Sequence, residues 1–252
     1  MTKNIDLNCD LGEGFGRYKV ADDRELMSRI SSCNIACGFH AGDPTIIMQT
    51  INLAASLNVA IGAHPSYPDL QGFGRRSMQL PEMEFSALLK YQISALKGMS
   101  ESIGVQLHHV KPHGALYHDT ALKGNLSEIL CEVIADIDLG IKLYGLAGSQ
   151  HQIQAEKYGI KFISEAFGDR KYTADGKLAP RSIDGSVIDS VEGVTSQVLS
   201  IINQNEAKTV EGDKIAIEAE TICIHGDSPN ATNMLVSLNQ VLKSHNIAVV
   251  AP

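Results

Sequence analysis

Short apolar runs alternate with longer amphipathic segments along most of the chain. The runs have the length of strands, and the segments between them carry apolar residues at helical spacing. This alternation predicts parallel strands that are joined by helical crossovers. The predicted strands cover residues 5–9, 33–37, 59–63, 107–112, 142–147, 161–166, 221–224 and 247–250, with a short extra strand at 214–218.

The predicted helices lie between these strands, and two of them have clear start signals. Asp43 followed by Pro44 predicts a helix N-terminus, because an aspartate caps free N–H groups and proline fits the first turn. Ser149 is expected to cap a short helix in the same way. The helices are predicted at residues 22–30, 44–57, 81–103, 119–137, 149–158 and 187–203, with a last one before residue 247.

Seven or eight core strands favour closure into a barrel over an open sheet. A length of 252 residues suits one such barrel, and no linker or low-complexity segment divides the chain. We therefore expect an α/β protein with a single (β/α)-barrel catalytic domain over residues 1–252. A doubly wound open sheet, which shows the same alternation, is the alternative.

The composition of the chain argues against several classes of protein. A net charge of −8 and a pI near 5.6 argue against a nucleic-acid or anionic-membrane surface. The five cysteines form no CxxC pair, which indicates free thiols in a reducing, cytoplasmic setting. No apolar run is long enough for a membrane span, and the first ten residues lack the apolar core of a signal peptide.

Polar side chains follow six of the predicted strands at the same end. In a (β/α) barrel the carboxyl-terminal strand ends lie on one face, where barrel enzymes build their active sites. The pattern therefore predicts an enzyme. The residues are Asp10, Glu13, His40, Asp43, His64, Asp69, Lys111, His113, Glu165, Asp169, Arg170, His225 and Asp227.

Lys111 is the most distinctive of these residues, because Pro112 breaks the strand directly after it. A lysine at a barrel rim is suited to hold an anionic substrate group or to stabilise an oxyanion. Burial beside His113 would instead lower its pKa and make it a base. Arg75 or Arg76, which follow a glycine-rich turn, could clamp a carboxylate or phosphate.

Several of these residues have a plainer explanation. Asp43 is accounted for as a helix cap, and His40 and His64 could simply be hydrogen-bonded beside glycine turns. The chain has no GxxxxGK[ST], GxSxG or GxGxxG motif, so it has no P-loop of its own. No HxxH or HExxH pair is present, and Pro112 keeps His109 and His113 off one helical face.

Six ordered motifs carry a resemblance over nearly the whole chain. They are DLNCDLGEGFG, NIACGFHAGDP, GAHPSYPDLQGFGRR, HVKPHGALY, EAFGDRKYTADGKLAPR and ICIHGD. Together they resemble the LamB/YcsF family, the A subunits of prokaryotic ATP-dependent 5-oxoprolinase. The resemblance implies opening of the lactam ring of 5-oxo-L-proline to L-glutamate, coupled to ATP hydrolysis in a complex with two partner subunits, B and C.

The resemblance also implies a barrel of the glycoside hydrolase/deacetylase type. That type of barrel suggests a divalent metal on Asp10, His40 and His64, although the deacetylases' paired-Asp and one-turn His motifs are absent here. We expect catalytic roles for Lys111, His113, Asp10, Glu13, Glu165 and Asp169. We expect substrate contacts from His64, Arg75, Arg170, His225 and Asp227.

The implied reaction is chemically reasonable. An unactivated five-membered lactam resists hydrolysis, whereas phosphorylation of its amide oxygen would supply the free energy for ring opening. Without a P-loop in this chain, the ATP step is expected to belong to the partner subunits. Lys111 and Arg75 would then hold the phosphate or carboxylate, while a carboxylate or His113 would direct water. Two alternatives stay open: a stand-alone metal-dependent amidohydrolase or deacetylase, and a non-catalytic binding subunit of a hydrolase complex.

Overall fold

A computed structural model describes residues 3–228 and 230–252 of the chain; Pro229, at the end of a predicted strand-end motif, lies outside the described residues. Within these ranges the chain forms a barrel of parallel strands with helices around it. The strands are β1 (Lys3–Leu11), β2 (Ser32–Ala36), β3 (Ala60–His64), β4 (His109–Val110), β5 (Lys142–Leu146), β6 (Phe162–Phe167), β7 (Glu206–Lys208), β8 (Lys214–Ala216), β9 (Thr221–Cys223) and β10 (Ile247–Val249).

Seven of the described strands close the barrel in the order β1-β2-β3-β4-β5-β6-β9, because β9 returns to pair with β1. Asp10 of β1 stands opposite Asn34 of β2, and Asn8 stands opposite Cys223 of β9. The predicted barrel is confirmed, and the open sheet is excluded. The last strand, β10, pairs with the start of β1, while β7 and β8 form a separate antiparallel pair.

The crossovers between the strands are helical. The helices are α1 (Asp23–Met27), α2 (Pro44–Leu57), α3 (Glu82–Glu101), α4 (Gly114–Leu122), α5 (Gly124–Ile137), α6 (Gln150–Tyr158), α7 (Val191–Gln204) and α8 (Ala231–Ser244). Both predicted caps are confirmed: Asp43 accepts hydrogen bonds from the first N–H groups of α2, and Ser149 accepts one at the start of α6.

One predicted helix is wrong. Residues 119–137 do not form a continuous helix; α4 begins five residues earlier and stops at Leu122. Lys123 is extended, with φ −109° and ψ 108°, and Gly124 opens α5. A glycine weakens helix continuity, and here it also lies close to Gln150 of α6, where a Cβ would come within 3.0 Å of the amide oxygen. The early start of α4 places its first turn beside the end of β4.

The side chains of the strands alternate between an apolar layer outside the barrel and a polar barrel interior. Along β1, Ile5 and Leu7 are buried in the apolar core. Asp6, Asn8 and Asp10, the alternate residues of the same strand, meet polar side chains of other strands. The interior of a (β/α) barrel is more often filled with branched apolar residues. In this barrel the interior polar groups are instead stabilised by hydrogen bonds and ion pairs with one another.

Two further expectations are met within the described residues. All five cysteines are free and buried. Among the helices of residues 3–228 and 230–252, none combines the length and the apolar character that crossing a membrane requires.

We predict that Gly62→Ala destabilises the protein by about 1–3 kcal/mol or more. A Cβ at Gly62 would lie 2.1 Å from His109 Nε2, so the packed imidazole would have to move. Gly98→Ala in helix α3 is the matched control, because its Cβ would meet nothing within 4 Å. Gly98→Ala should raise the free energy of unfolding by about 0.4–1 kcal/mol. Urea unfolding of both variants measures this, and equal free energies of unfolding would contradict it.

Candidate active site

The ammonium group of Lys111 lies at the centre of the polar interior and is buried. Its Nζ lies 2.9 Å from Glu165 Oε1, 3.0 Å from Asn8 Oδ1, 3.2 Å from Asp10 Oδ1 and 3.0 Å from the Cys223 sulfur. Three protons thus face four acceptors from three strands. Lys111 is therefore the positive charge of the interior, and each N–H group of its ammonium has an acceptor.

The charges in this cluster stabilise one another. Burial by itself would lower the pKa of the Lys111 ammonium group, but Asp10, Cys223 and Glu165 outweigh it and hold the pKa well above its ordinary value. Burial would likewise raise the pKa of Asp10, but His64 and Lys111 outweigh it and lower that pKa. Lys111 therefore stays protonated and Asp10 stays ionised, which is opposite to the shift that a lysine base requires.

Two asparagines, Asn8 and Asn34, orient the acceptors around Lys111. The Asn34 amide nitrogen donates to Asn8 Oδ1 and Asp10 Oδ1, both at 2.8 Å. The Asn8 amide nitrogen donates to Glu165 Oε1 at 2.9 Å. Each oxygen that faces Lys111 from Asn8, Asp10 or Glu165 thus accepts a second hydrogen bond, which restricts the geometry of the cluster.

Above this cluster, His64 and His113 form a chain between two backbone carbonyl groups. His64 Nδ1 lies 2.6 Å from the Lys111 carbonyl oxygen, and His113 Nε2 lies 2.8 Å from the Phe73 carbonyl oxygen. Both outer nitrogens therefore carry protons. The inner nitrogens, His64 Nε2 and His113 Nδ1, are 2.9 Å apart, and a hydrogen bond between them requires one further proton, although burial and His64 lower the pKa of His113. Asp10 Oδ2, 3.3 Å from His64 Nε2, balances the resulting charge.

His40 and Glu13 lie next to the imidazole pair. The His40 ring stacks on His113 with centroids 3.8 Å apart, and both of its nitrogens lack a hydrogen-bond partner among the described residues. Its Nε2 is 3.7 Å from Glu13. Burial, with His113 and His64 nearby, holds the pKa of His40 well below its ordinary value. Burial, with Asp10 and Asp227 nearby, raises the pKa of Glu13.

The residues of the expected metal site, Asp10, His40 and His64, fall into two groups. His40 and His64 come together with Glu13 and His113, while Asp10 groups with Cys223 and His225. A metal lies in the plane of each imidazole that binds it, about 2.0–2.1 Å from the nitrogen. His40 and His113 are stacked with an interplanar angle of only 10°, so one ion cannot lie in both ring planes. This stacking excludes only His40 and His113 as joint ligands of one ion. Glu13, His40 and His64, whose ligand atoms lie within 4.8 Å of one another, could hold a divalent ion, and the expected metal stays a prediction.

His225 and Asp169 form a dyad at the edge of the barrel mouth. His225 Nδ1 lies 2.9 Å from both carboxylate oxygens of Asp169, and the His225 backbone N–H donates to the same carboxylate. Burial alone would raise the pKa of Asp169, but these bonds with His225 lower it. In the neutral tautomer that Asp169 favours, the proton is on Nδ1 and Nε2 is the hydrogen-bond acceptor.

The two candidate arginines, Arg75 and Arg76, lie in the loop that follows β3 and make different contacts. Arg76 pairs with Asp69, whose carboxylate also accepts from the Gly72 N–H, so this pair closes the loop on itself. Arg75 pairs with Asp227 and lies 5.0 Å from the centre of the Phe73 ring. Of the two, only Arg75 lines the cavity at the barrel mouth.

A cavity of about 220 Å³ opens above the polar interior. Seven of the predicted site residues line it: Asp10, His64, Arg75, Lys111, His113, Arg170 and His225. The others are Glu13, Glu165, Asp169, Asp227 and His40, and they contact these lining residues instead. Burial and the neighbouring Arg181 lower the pKa of Arg170 to about 10. The two guanidinium groups make this side of the cavity suited to a carboxylate.

Three polar cavity residues were missed from the sequence: Tyr117, His118 and Arg181. Tyr117 and His118 lie in the first turns of α4, which the sequence pattern placed too late. With α4 beginning at Gly114, helical spacing would have put Tyr117 one turn from the strand end. Arg181 lies in the long loop after β6, and it is the last residue of the EAFGDRKYTADGKLAPR motif, which could have indicated it.

The chain is similar to proteins of one known family. A model of the LamB/YcsF family matches residues 5–252. The 5-oxoprolinase A subunit of Bacillus cereus (strain AH187) is 45% identical over 249 residues, 98% of each chain. A lactam utilization protein from Thermus thermophilus has a crystal structure that superposes with a TM-score of 0.93 at 38% identity, over 99% of this chain and 100% of that one.

A more distant likeness concerns the fold alone. A protein of Enterococcus faecalis V583, whose name refers to cellobiose-phosphate cleavage, superposes with a TM-score of 0.60 at 12% identity. The match covers 99% of this chain and 97% of that one. It agrees with the predicted type of barrel.

We predict that Lys111→Met destabilises the protein by about 3–5 kcal/mol at pH 8, because Asp10 and Glu165 lose their counter-charge. In the wild type the lowered pKa of Asp10 stabilises the fold above the ordinary carboxyl range, and this is lost as pH falls. In the variant the pKa of Asp10 is raised instead, so the loss of stability should grow as pH rises. Urea unfolding at pH 5 and pH 8 measures this.

Lys90→Met is the control for this change. Lys90 forms an exposed pair with Asp136 at 3.0 Å, and its loss should change stability by less than about 1 kcal/mol at either pH. A Lys111→Met variant with a larger deficit at pH 5 than at pH 8 would refute the assigned ion pairs.

Proposed function

The chain belongs to the LamB/YcsF family, and we propose that it is the A subunit of an ATP-dependent 5-oxoprolinase, which opens 5-oxo-L-proline to L-glutamate. The observation that carries the proposal is the cavity at the barrel mouth. It is small, it has arginines on one side, and it presents both a proton acceptor and a proton donor. The names of the similar proteins, which refer to 5-oxoprolinase and to lactam utilization, agree with this chemistry.

In the proposed reaction water adds to the amide carbon of the ring and the carbon–nitrogen bond breaks. With the amide oxygen phosphorylated, the oxygen of this water becomes the new carbonyl oxygen, and the ring nitrogen takes a proton to become the amino group. A second water then releases phosphate from the resulting acyl phosphate and leaves the side-chain carboxylate of glutamate. Two protein groups are required, one that accepts a proton from water and one that supplies a proton to nitrogen.

We assign the first role to His225 and the second to the His64–His113 pair. Asp169 fixes the tautomer of His225, so its Nε2 can accept a proton from water, as in other carboxylate–histidine dyads. In this proposal the inner nitrogens of the pair share one proton beside Asp10. Burial together with His64 lowers the pKa of His113, so this ring releases a proton readily. Arg170 and Arg181 bind the carboxylate of the substrate.

The ATP step is assigned to the partner subunits B and C. Pockets for drug-sized ligands have volumes of about 300–1,000 Å³. The cavity of about 220 Å³ suits a small lactam and is too small for a nucleotide beside it. The sequence also lacks a P-loop. In this division of labour the partners activate the lactam with ATP, and this chain opens the activated ring.

We predict that the purified chain alone releases no glutamate from 5-oxoproline and ATP, whereas the chain mixed with subunits B and C does. The physical reason is that the lactam must be activated before water can open it. Glutamate and ADP are measured in parallel reactions that each omit one component of the complex. Release by the chain alone without ATP would contradict the proposal and favour a stand-alone amidohydrolase, whose dependence on metal a chelator would then test.

We predict that Asp169→Asn lowers kcat of the reconstituted complex by about 10²–10⁴-fold, because the asparagine amide can donate to Nδ1 and so favour the wrong tautomer of His225. Asp136→Asn, in an exposed ion pair, is the control and should leave kcat unchanged. If Asp169→Asn lowers only complex formation and leaves kcat intact, the assigned base is wrong and this chain has a binding role in the complex.

A further inference from the structure

An interior network of hydrogen bonds connects one end of the barrel to the other. Its members are Lys142, His108, His109, Asn34 and Asp10. Lys142 Nζ lies 2.7 Å from His108 Nε2, and His108 Nδ1 lies 3.1 Å from His109 Nδ1. His109 Nε2 lies 2.7 Å from Asn34 Oδ1, and the Asn34 amide nitrogen donates to Asp10 Oδ1 at 2.8 Å. Lys142 is the first residue of β5, so the network runs from the amino-terminal strand ends to the site at the carboxyl-terminal ends.

The Asn34 amide fixes the direction of these hydrogen bonds. Its nitrogen donates to Asn8 and Asp10, so its oxygen faces His109. An amide oxygen only accepts hydrogen bonds, which requires a proton on His109 Nε2. Burial holds the pKa of His109 well below its ordinary value, so the ring is neutral and its Nδ1 carries no proton. His109 therefore donates to Asn34 and accepts from His108.

Lys142 fixes the other end of the network. Because His109 Nδ1 accepts, His108 Nδ1 carries a proton. Burial and the charge of Lys142 lower the pKa of His108, so its Nε2 is unprotonated and accepts from the Lys142 ammonium group. The backbone oxygen of Pro252 lies 3.0 Å from the same nitrogen and would accept a proton from it if Lys142 were absent. Lys142 thus decides which tautomer His108 adopts.

The His109 ring has little freedom to rearrange. Both His109 and Asn34 are fully buried. The ring stacks on Tyr144 with centroids 3.8 Å apart, and it packs so closely on Gly62 that a Cβ there would lie 2.1 Å from Nε2. A ring that is packed on both faces presents its Nε2 proton at one place, which the Asn34 oxygen occupies.

We propose that His109 is a positioning residue, which holds the Asn34 amide and through it the Asp10 carboxylate. Lys142 selects the tautomer in which His109 can donate. The catalytic consequence rests on the proposed lactam-opening function. Asp10 receives the network on Oδ1, while its Oδ2 lies 3.3 Å from His64 Nε2 in the pair that supplies a proton to the ring nitrogen. A displaced carboxylate would therefore misplace this pair against the substrate, and a shift of about 1 Å can lower a rate about 100-fold.

The tautomers are tested by ¹⁵N NMR of the imidazole nitrogens in the purified chain, with His108→Gln and His109→Gln identifying the signals of each ring. We expect His109 to be protonated on Nε2 alone and His108 on Nδ1 alone. In Lys142→Met, His108 should change to the tautomer that is protonated on Nε2 and donates to Pro252. A wild-type His109 with its proton on Nδ1, or an unchanged His108 in Lys142→Met, would overturn the proposal.

Lys161→Met is the matched control for Lys142→Met. Lys161 is exposed and directly precedes β6 at the same end of the barrel. Burial, with Lys161 nearby, lowers the pKa of Lys142, so the control removes a neighbouring charge while Lys142 keeps its bond to His108. Both histidine tautomers and kcat should stay as in the wild type.

The positioning role is tested by comparing His109→Leu with His109→Gln in the complex with subunits B and C. Both variants lose the stack on Tyr144, but only glutamine keeps an N–H donor for the Asn34 oxygen. We expect kcat for glutamate release to fall up to about 100-fold in His109→Leu and to be largely restored in His109→Gln. KM should stay close to the wild-type value in both, because the arginines that bind the substrate are unchanged.

Equal losses of kcat in the two folded variants would assign His109 a packing role only and overturn the proposal. If neither variant folds, Lys142→Met provides the comparison, since Lys142 lies at the edge of the barrel and its loss should lower kcat without changing KM. An unchanged kcat there would contradict the proposal. If the wild-type complex releases no glutamate, the proposed function fails, whereas the tautomers measured in the purified chain are independent of that result.

Discussion

The ion cluster around Lys111 is the interaction on which the rest of the structure depends. A buried ammonium group is tolerated only where opposite charges and hydrogen bonds compensate its lost hydration. Here Asp10 and Glu165 arrive from two strands and Asn8 completes the set, so the cluster connects opposite sides of the barrel. Removing Lys111 leaves both carboxylates buried without their counter-charge. The barrel interior is therefore specified by polar pairing, where related folds use apolar packing.

This cluster also sets the charge of the groups above it. Asp10 stays ionised because Lys111 and His64 lower its pKa, and its second oxygen faces the His64–His113 pair. The pair can then hold an additional proton close to the cavity. Glu13 lies nearby with a raised pKa, so the pKa values of the two carboxyl groups shift in opposite directions although few residues separate them in sequence. Environments that push the pKa values of neighbouring groups apart are typical of acid–base sites.

Much of the site was predictable because parallel strands of a barrel end on one face. Asp10, His64, Lys111, His113 and His225 were chosen from their positions after apolar runs, and all five line the cavity. Glu165 and Asp169 were chosen by the same rule, but they lie behind lining residues, since strand position does not say how deep a side chain reaches. Tyr117 was missed because its place depends on where α4 begins, and helix starts are poorly marked without a capping side chain.

The sequence by itself determined the alternation of strands and helices, the barrel, the family and the face on which the polar residues gather. These follow from local periodicity and from motifs that are continuous in the chain. Only the tertiary structure decided which charges meet and which histidine ring stacks on which. Those properties depend on distances between residues far apart in the chain, such as Asn8 and Glu165, and no local pattern encodes such distances.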